Sequence, residues 1–293
     1  IKYSTVGEMQ PDSARFLLGL AVWAYPDFFG SFYPDSILRK SALSEYGNRL
    51  HCVECNSTFY AQPDVNILHS WAEQVPDDFR FVPKLSQRIS HNGLLADKGA
   101  LTVELVMQIK SALKNRCGPF MLQLPPSYSP RNGGDLAQFL NGWRRSELGN
   151  IAVEFRHPDW WAPEWSSRTK TMLKRLAMGR IILDTRALYS DLDDPQRNAQ
   201  NKKPNVPVDK DNHHGTVIVR YIAHPDEDRN EVFWSEWINQ ISTWLQEGRQ
   251  VYFFMHCPQE KFSPSHARLF YHRLRQRCPH LPTLPWDNLP PDP

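Results

Sequence analysis

The sequence predicts a TIM-type (β/α)8 parallel barrel, one domain over residues 1–293, with a long loop after the sixth strand. Three observations carry that expectation. Eight short apolar runs recur along the chain, most of them separated by stretches of helical period. Each run is nearly continuous in apolar residues, as in parallel strands covered on both faces. Strand–helix alternation repeated eight times in under 300 residues closes more readily into a barrel than into an open doubly wound sheet.

The runs are Arg15–Val22, His51–Asn56, Arg80–Leu85, Phe120–Leu124, Ile151–Arg156, Arg180–Thr185, Thr216–Ile222 and Val251–His256. Between the third and fourth, Leu101, Leu105, Ile109 and Leu113 form an i, i+4 stripe. Between the seventh and eighth, Trp234, Trp237, Ile238, Ile241, Trp244 and Leu245 follow the i, i+3, i+4, i+7 pattern. After the eighth, Ser263 and Pro264 read as a helix start ahead of Ala267, Phe270 and Leu274. Two stretches break the rhythm. Residues 187–215, after strand six, have no clear period and suit a functional lid or a disordered segment. Residues 279–293 carry six prolines and suit an extended strap or a frayed end, while residues 1–14 form a polar leading segment.

Composition narrows the functional classes. The 34 basic and 32 acidic residues nearly cancel, which disfavours a dedicated nucleic-acid protein. No apolar run reaches the roughly 20 residues that span a bilayer, and no apolar signal core follows the polar stretch from Lys2 to Arg15. Five irregularly spaced cysteines suit a reducing compartment, so a cytoplasmic protein is expected. Cys52 and Cys55 form a C-x-x-C inside a strand, where residues three apart face opposite ways, so they read as two buried thiols. The chain has no G-x-x-x-x-G-K-[ST], G-x-G-x-x-G, H-E-x-x-H or G-x-S-x-G motif.

In this fold chemistry sits at the C-terminal ends of the strands, and polar residues fall there repeatedly. Glu54 and Asn56 end strand two, Lys84 strand three, Gln123 strand four and Glu154 with Arg156 strand five. Asp184 ends strand six, Arg220 lies late in strand seven, and His256 ends strand eight. Strand parity sets Glu54 with Asn56, and Glu154 with Arg156, on shared faces that we expect to point into the mouth. A structural network in which these acids and bases simply neutralise one another is the competing reading.

At the same positions the chain resembles the YecE-like family, known as domain of unknown function 72. The matching stretches are Val53-Glu54-Cys55-Asn56-Ser57-Thr58-Phe59-Tyr60, Phe81-Val82-Pro83-Lys84, Ile89-Ser90-His91, Leu122-Gln123-Leu124-Pro125-Pro126 and Val153-Glu154-Phe155-Arg156-His157-Pro158. Lys202-Lys203-Pro204 and Val206-Pro207-Val208 match the YecE branch. The resemblance implies a TIM-type barrel and a bacterial cytoplasmic protein, and it implies no particular activity. Arg220-Tyr221-Ile222-Ala223 and Met255-His256-Cys257 stand where many relatives carry Arg-x-His-Gly and paired asparagines.

The mouth suggests an enzyme of unassigned class, working without a cofactor by acid–base and electrostatic catalysis on a small anionic or sugar-like molecule. Glu54, Glu154, Asp184 and Lys84 are the catalytic candidates, with the two glutamates as an acid and base if their environments separate them. Arg156 and Arg220 offer bidentate forks for a carboxylate or phosphate. Asn56, Gln123, His91 and His256 are further ligand contacts. Trp23 and Trp160 either stack on a ligand or pack the loops. An alternative is a divalent-metal site of Glu154, Asp184 and His256 in an isomerase- or endonuclease-like barrel. A second alternative is a non-enzymatic ligand- or nucleic-acid-binding role. Against nucleic acid, the segment from Arg186 to Asp211 balances five bases with five acids.

Overall fold

A computed structural model describes residues 15–190, 200, 203–211 and 214–290. The polar segment 1–14, most of the first half of the loop after strand six (with Lys202), and residues 291–293 fall outside these described residues.

Eight parallel strands form the sheet: β1 Arg15–Leu20, β2 Cys52–Cys55, β3 Arg80–Pro83, β4 Phe120–Gln123, β5 Ile151–Glu154, β6 Gly179–Asp184, β7 Thr216–Ile222 and β8 Gln250–His256. The hydrogen-bonded order runs β3-β2-β1-β8-β7-β6-β5-β4. The seam between β3 and β4 is stitched by two bonds, Gly118 N to Phe81 O at 2.7 Å and Leu85 N to Met121 O at 2.9 Å. The sheet is thus a nearly closed barrel, as the apolar runs predict. Gly19 permits one close approach: a Cβ there would stand 2.2 Å from the Cys52 carbonyl oxygen.

Among the described residues, seven longer helical segments follow the strands: α1 Ala42–Gly47, α2 Val65–Glu73, α3 Gly99–Leu113, α4 Gly133–Arg145, α5 Pro163–Leu176, α6 Glu231–Gln246 and α7 Ser263–Arg277. The α6 stripe buries Trp234, Trp237, Ile241 and Trp244 against the sheet. Inside the barrel a separate core gathers Leu17, Cys52, Val82, Met121, Ala152, Ile181, Ile218, Tyr252 and Phe254. This layer fixes the inward parity of every strand, so the next inward positions toward the mouth are Glu54, Lys84, Gln123, Glu154, Leu183, Arg220 and His256.

Over β6 the loop does part of a helix's work. Lys170 of α5 and Arg180 both pair with Asp209, at 2.9 and 3.0 Å, and Lys170 also reaches Asp211. Lys210 pairs with Glu236 of α6 at 3.3 Å and stands over the Trp237 ring. Leu188 and Val206 meet Leu183 and Ile222, closing the β6–β7 side of the mouth with apolar contacts. The proline-rich tail packs as a strap: Leu284 is fully buried, and Trp286 meets Phe32 edge-on at 4.8 Å. No helix among the described residues is long and apolar enough to cross a membrane.

Candidate functional site

Arg220 is the hub of the barrel mouth. Its Nε and Nη2 donate to the two oxygens of Glu54 at 2.8 and 2.9 Å, a bidentate fork. Its Nη1 donates to Glu154 Oε2 at 2.5 Å, and Arg156 Nε donates to the other Glu154 oxygen at 2.7 Å. His256 Nε2 lies 3.1 Å from Glu54 Oε2. An ionised carboxylate only accepts, so the imidazole carries its proton on Nε2. Glu54, Glu154 and Arg220 are 0, 1 and 3% exposed, which removes nearly all solvent screening from these pairs.

The protonation states follow from this geometry. Burial pushes Glu54 up, but the Arg220 guanidinium and His256 outweigh it and hold the carboxyl well below its ordinary range. Burial likewise opposes, and Arg220, Arg156 and Lys84 overcome it at Glu154, which falls to about 2. The two glutamates are therefore not split into an acid and a base. Both are ionised braces for Arg220. His256 is lowered to about 4, by burial above all, and stays neutral near pH 7.

Lys84 is different. Its backbone is pinned, because the single Thr58 hydroxyl hydrogen is shared between the carbonyls of Cys55 and Lys84, 2.8 and 2.7 Å from Oγ1. Its side chain enters the mouth with the Phe59 ring 4.0 Å from Nζ. Among the described residues Nζ has no hydrogen-bonding or ion-pair partner, since Arg220 and Arg156 already occupy both carboxylates. Burial first, then repulsion by Arg220, lowers it to about 8 despite the pull of the two glutamates. His91 meets the same Phe59 ring edge-on at 5.1 Å. Burial, then Lys84 and Arg156, lowers its pKa. Gln123 is inward and 6% exposed on β4, in register with Glu154. Asn56 Nδ2 donates to the Ala21 carbonyl at 3.2 Å and ties the ends of β1 and β2 at the rim.

Two groups at the mouth escaped the residue-by-residue reading. Lys203 is held on the loop by its carbonyl, which accepts from Tyr189 Oη at 2.6 Å. Burial first, then Arg220, lowers its ammonium, and Glu54, Arg156 and Glu154 also act on it, which places it within electrostatic reach of the same cluster. Glu260, after β8, accepts from Ser263 Oγ at 2.8 Å and is pushed up to about 7, chiefly by burial. The Lys202-Lys203-Pro204 match marked the first. A neutral charge sum over the loop hid its role, because Asp209 and Asp211 are committed to Lys170 and Arg180 on the outer side.

Several expected members lie elsewhere. Asp184 falls on the outward parity of β6, where it accepts from Trp237 Nε1 at 2.7 Å and from Arg186 Nη2 at 2.9 Å. The set Glu154, Asp184 and His256 is therefore not gathered, and no group of His, Cys, Asp and Glu suited to a metal ion occurs among the described residues. Trp160 is 3% exposed and donates to the Tyr128 carbonyl at 2.7 Å, so it packs the loop and offers no ligand face. Trp23 stands edge-on to Trp71, which stacks on outward-facing Phe81, so it belongs to the helical side. Replacing Asp184 with alanine leaves a buried indole N–H and Arg186 short of an acceptor. Urea denaturation is expected to show a loss of about 3 kcal/mol, and an unchanged midpoint would mean that this pocket admits water.

The family described as "Protein of unknown function DUF72" matches residues 17–289. The chain belongs to the DUF72 family. It is 31% identical over 271 residues to "UPF0759 protein YecE" of Escherichia coli strain K12, covering 92% of this chain and 96% of that relative. "UPF0759 protein YunF" of Bacillus subtilis is 23% identical over 168 residues, covering 54% of this chain and 56% of that protein. Among solved structures, a DUF72 family protein of Thermotoga maritima aligns with TM-score 0.66 and 18% identity, over 89% of this chain and 99% of that one. One of Enterococcus faecalis aligns with TM-score 0.64 and 17% identity, over 94% and 97%. These structures share the DUF72 barrel fold.

Proposed function

We propose that this DUF72 chain is an enzyme acting on a small anionic molecule, a carboxylate or a phosphorylated sugar-like compound, without a metal in its catalytic step. One observation carries the reading: the cations of the mouth outnumber the acceptors available to them. Arg220 holds both glutamates, while Lys84 Nζ and Lys203 Nζ have no hydrogen-bonding or ion-pair partner among the described residues. Arg156 bonds Glu154 through Nε alone, which leaves its two terminal nitrogens to fork onto an anion. Burying such groups without an acceptor costs several kcal/mol, and a bound anion recovers it. Proton transfer then falls to the groups that titrate near neutrality, Lys84 at about 8 and Glu260 at about 7. The glutamates keep Arg220 fixed and the field of the mouth constant.

The test is calorimetric binding of inorganic phosphate, simple carboxylates and sugar phosphates, each beside its neutral counterpart. Anions should bind and neutral sugars should not, and Arg156→Met should weaken binding at least tenfold, the loss of about 1.4 kcal/mol or more expected for a charged contact. Equal binding to Arg156→Met, or no anion binding at all, would sink this reading and leave an inert ion network.

A further inference from the structure

We propose that Lys84 is a covalent catalyst, whose amine forms a Schiff base with a small carbonyl compound carrying a carboxylate or phosphate. The inference rests on the anion-binding reading above and names the substrate class and the bond formed. Lys84 enters the mouth from the end of β3, 6% exposed, on a backbone pinned by Thr58. A lysine in an ion pair is poorly nucleophilic, because a carboxylate holds its proton. Here the arginines have taken the carboxylates, and the partner left to Nζ is the face of Phe59. A desolvated amine near other cations is the arrangement that activates lysine toward carbonyls. Its lowering to about 8 has those same two causes, burial first and then Arg220.

The rest of the mouth suits such a substrate. The free nitrogens of Arg156 and the Lys203 ammonium can hold the anionic end, leaving the carbonyl carbon toward Lys84. The Nζ lone pair forms the new C–N bond as the carbonyl oxygen takes a proton, giving a carbinolamine. The carbinolamine hydroxyl then takes a proton and leaves as water when the C–O bond breaks, giving the iminium, which either keeps its N–H proton or gives it up to become the imine. The balance is amine plus carbonyl to imine plus water, with nothing oxidised or reduced. His91, against the same Phe59 ring and depressed first by burial and then by Lys84 and Arg156, is a neutral base suited to these proton transfers.

The experiment uses the full chain with pyruvate or dihydroxyacetone phosphate, reduced by sodium borohydride and read by intact mass and peptide mapping. The expected product is one adduct per chain on the Lys84 peptide, heavier by the added compound less one oxygen atom. Near pH 7 Lys84 should label on the order of a hundredfold faster than exposed Lys40 or Lys174, the ratio of free amine at a pKa near 8 to that of an ordinary lysine. Lys84→Arg should abolish the adduct, and mapping on the wild-type chain decides the matter even if that variant folds poorly. A pyruvate adduct alone points to an oxo acid, and a dihydroxyacetone phosphate adduct alone to a phosphorylated ketone. Calorimetric binding of these compounds without an adduct overturns the covalent step and leaves the anion site standing. Labelling of Lys84 no faster than Lys40 overturns it equally. Neither binding nor adduct removes both readings.

Discussion

Replacing Arg220 with methionine is expected to cost roughly 3 to 5 kcal/mol of folding stability, the largest single loss at the mouth. The side chain donates three bonds to two carboxylates that are essentially without solvent. Methionine fills much of the volume, so the loss measures uncompensated charge more than a cavity. With the guanidinium gone, burial should drive Glu54 above its ordinary carboxylate range, whereas Glu154 keeps its bond from Arg156. For Glu54 the sign of the pH dependence then reverses. In the wild type both glutamates are depressed, so they contribute stability above about pH 4 that is lost on acidification. In Arg220→Met the folded pKa of Glu54 lies above the unfolded one, so its contribution should make the variant gain stability as pH falls from 7 toward 5. Urea titrations of both proteins at those two pH values test this, with Glu54→Gln in the Arg220→Met background as an internal check. The double variant should recover part of the loss at pH 7. A single variant within 1 kcal/mol of wild type at both pH values would mean that water reaches the carboxylates and that the dry network is wrong.

The reasons why some of this site could be read from sequence, and some not, lie in the strands themselves. Parallel strands buried on both faces show up as continuous apolar runs, so their number and order are legible. The same continuity erases the alternation that tells inside from outside. In β2 and β5 a polar pair two residues apart restores it: Glu54 with Asn56, and Glu154 with Arg156. Glu54 and Glu154 do face the barrel axis, and Arg156 reaches back to Glu154. In β6 the run Ile181-Ile182-Leu183-Asp184 offers no such pair, and either parity fits. The barrel interior takes Ile181, which sends Asp184 outward to Trp237 of α6. The loop failed for another reason. A charge sum treats its residues as one surface, whereas Asp209, Lys210 and Asp211 pair outward with α5, β6 and α6 while Lys203 lies within electrostatic reach of the mouth cluster.

Lys84→Met is expected to raise stability while removing function, and its pH dependence separates that gain from simple repacking. An amine lowered from 10.5 to about 8 is one whose charged form the fold disfavours, by burial first and then by Arg220. That gap corresponds to about 3 kcal/mol at neutral pH, to which methionine, apolar and of similar length, is not subject. The unfolded chain binds a proton at Lys84 up to about 10.5, and the folded chain only up to about 8. Between those values the unfolded state holds more protons at this site, so the Lys84 contribution to wild-type stability rises with pH. The advantage of Lys84→Met should therefore be full below pH 8 and shrink as pH climbs toward 10.5. Buried tyrosines and cysteines, whose ionisation the fold disfavours, also change stability over this range as the unfolded chain ionises them, but they are common to both proteins and cancel in the difference. The measurement is the gap in urea unfolding free energy between the two proteins at pH 7 and pH 10. A variant less stable than wild type at pH 7 would show that the carboxylates hold Lys84 as a structural ion. A stabilised variant that no longer binds anions marks the lysine as a group the fold keeps charged at a cost, as expected where stability has been exchanged for chemistry.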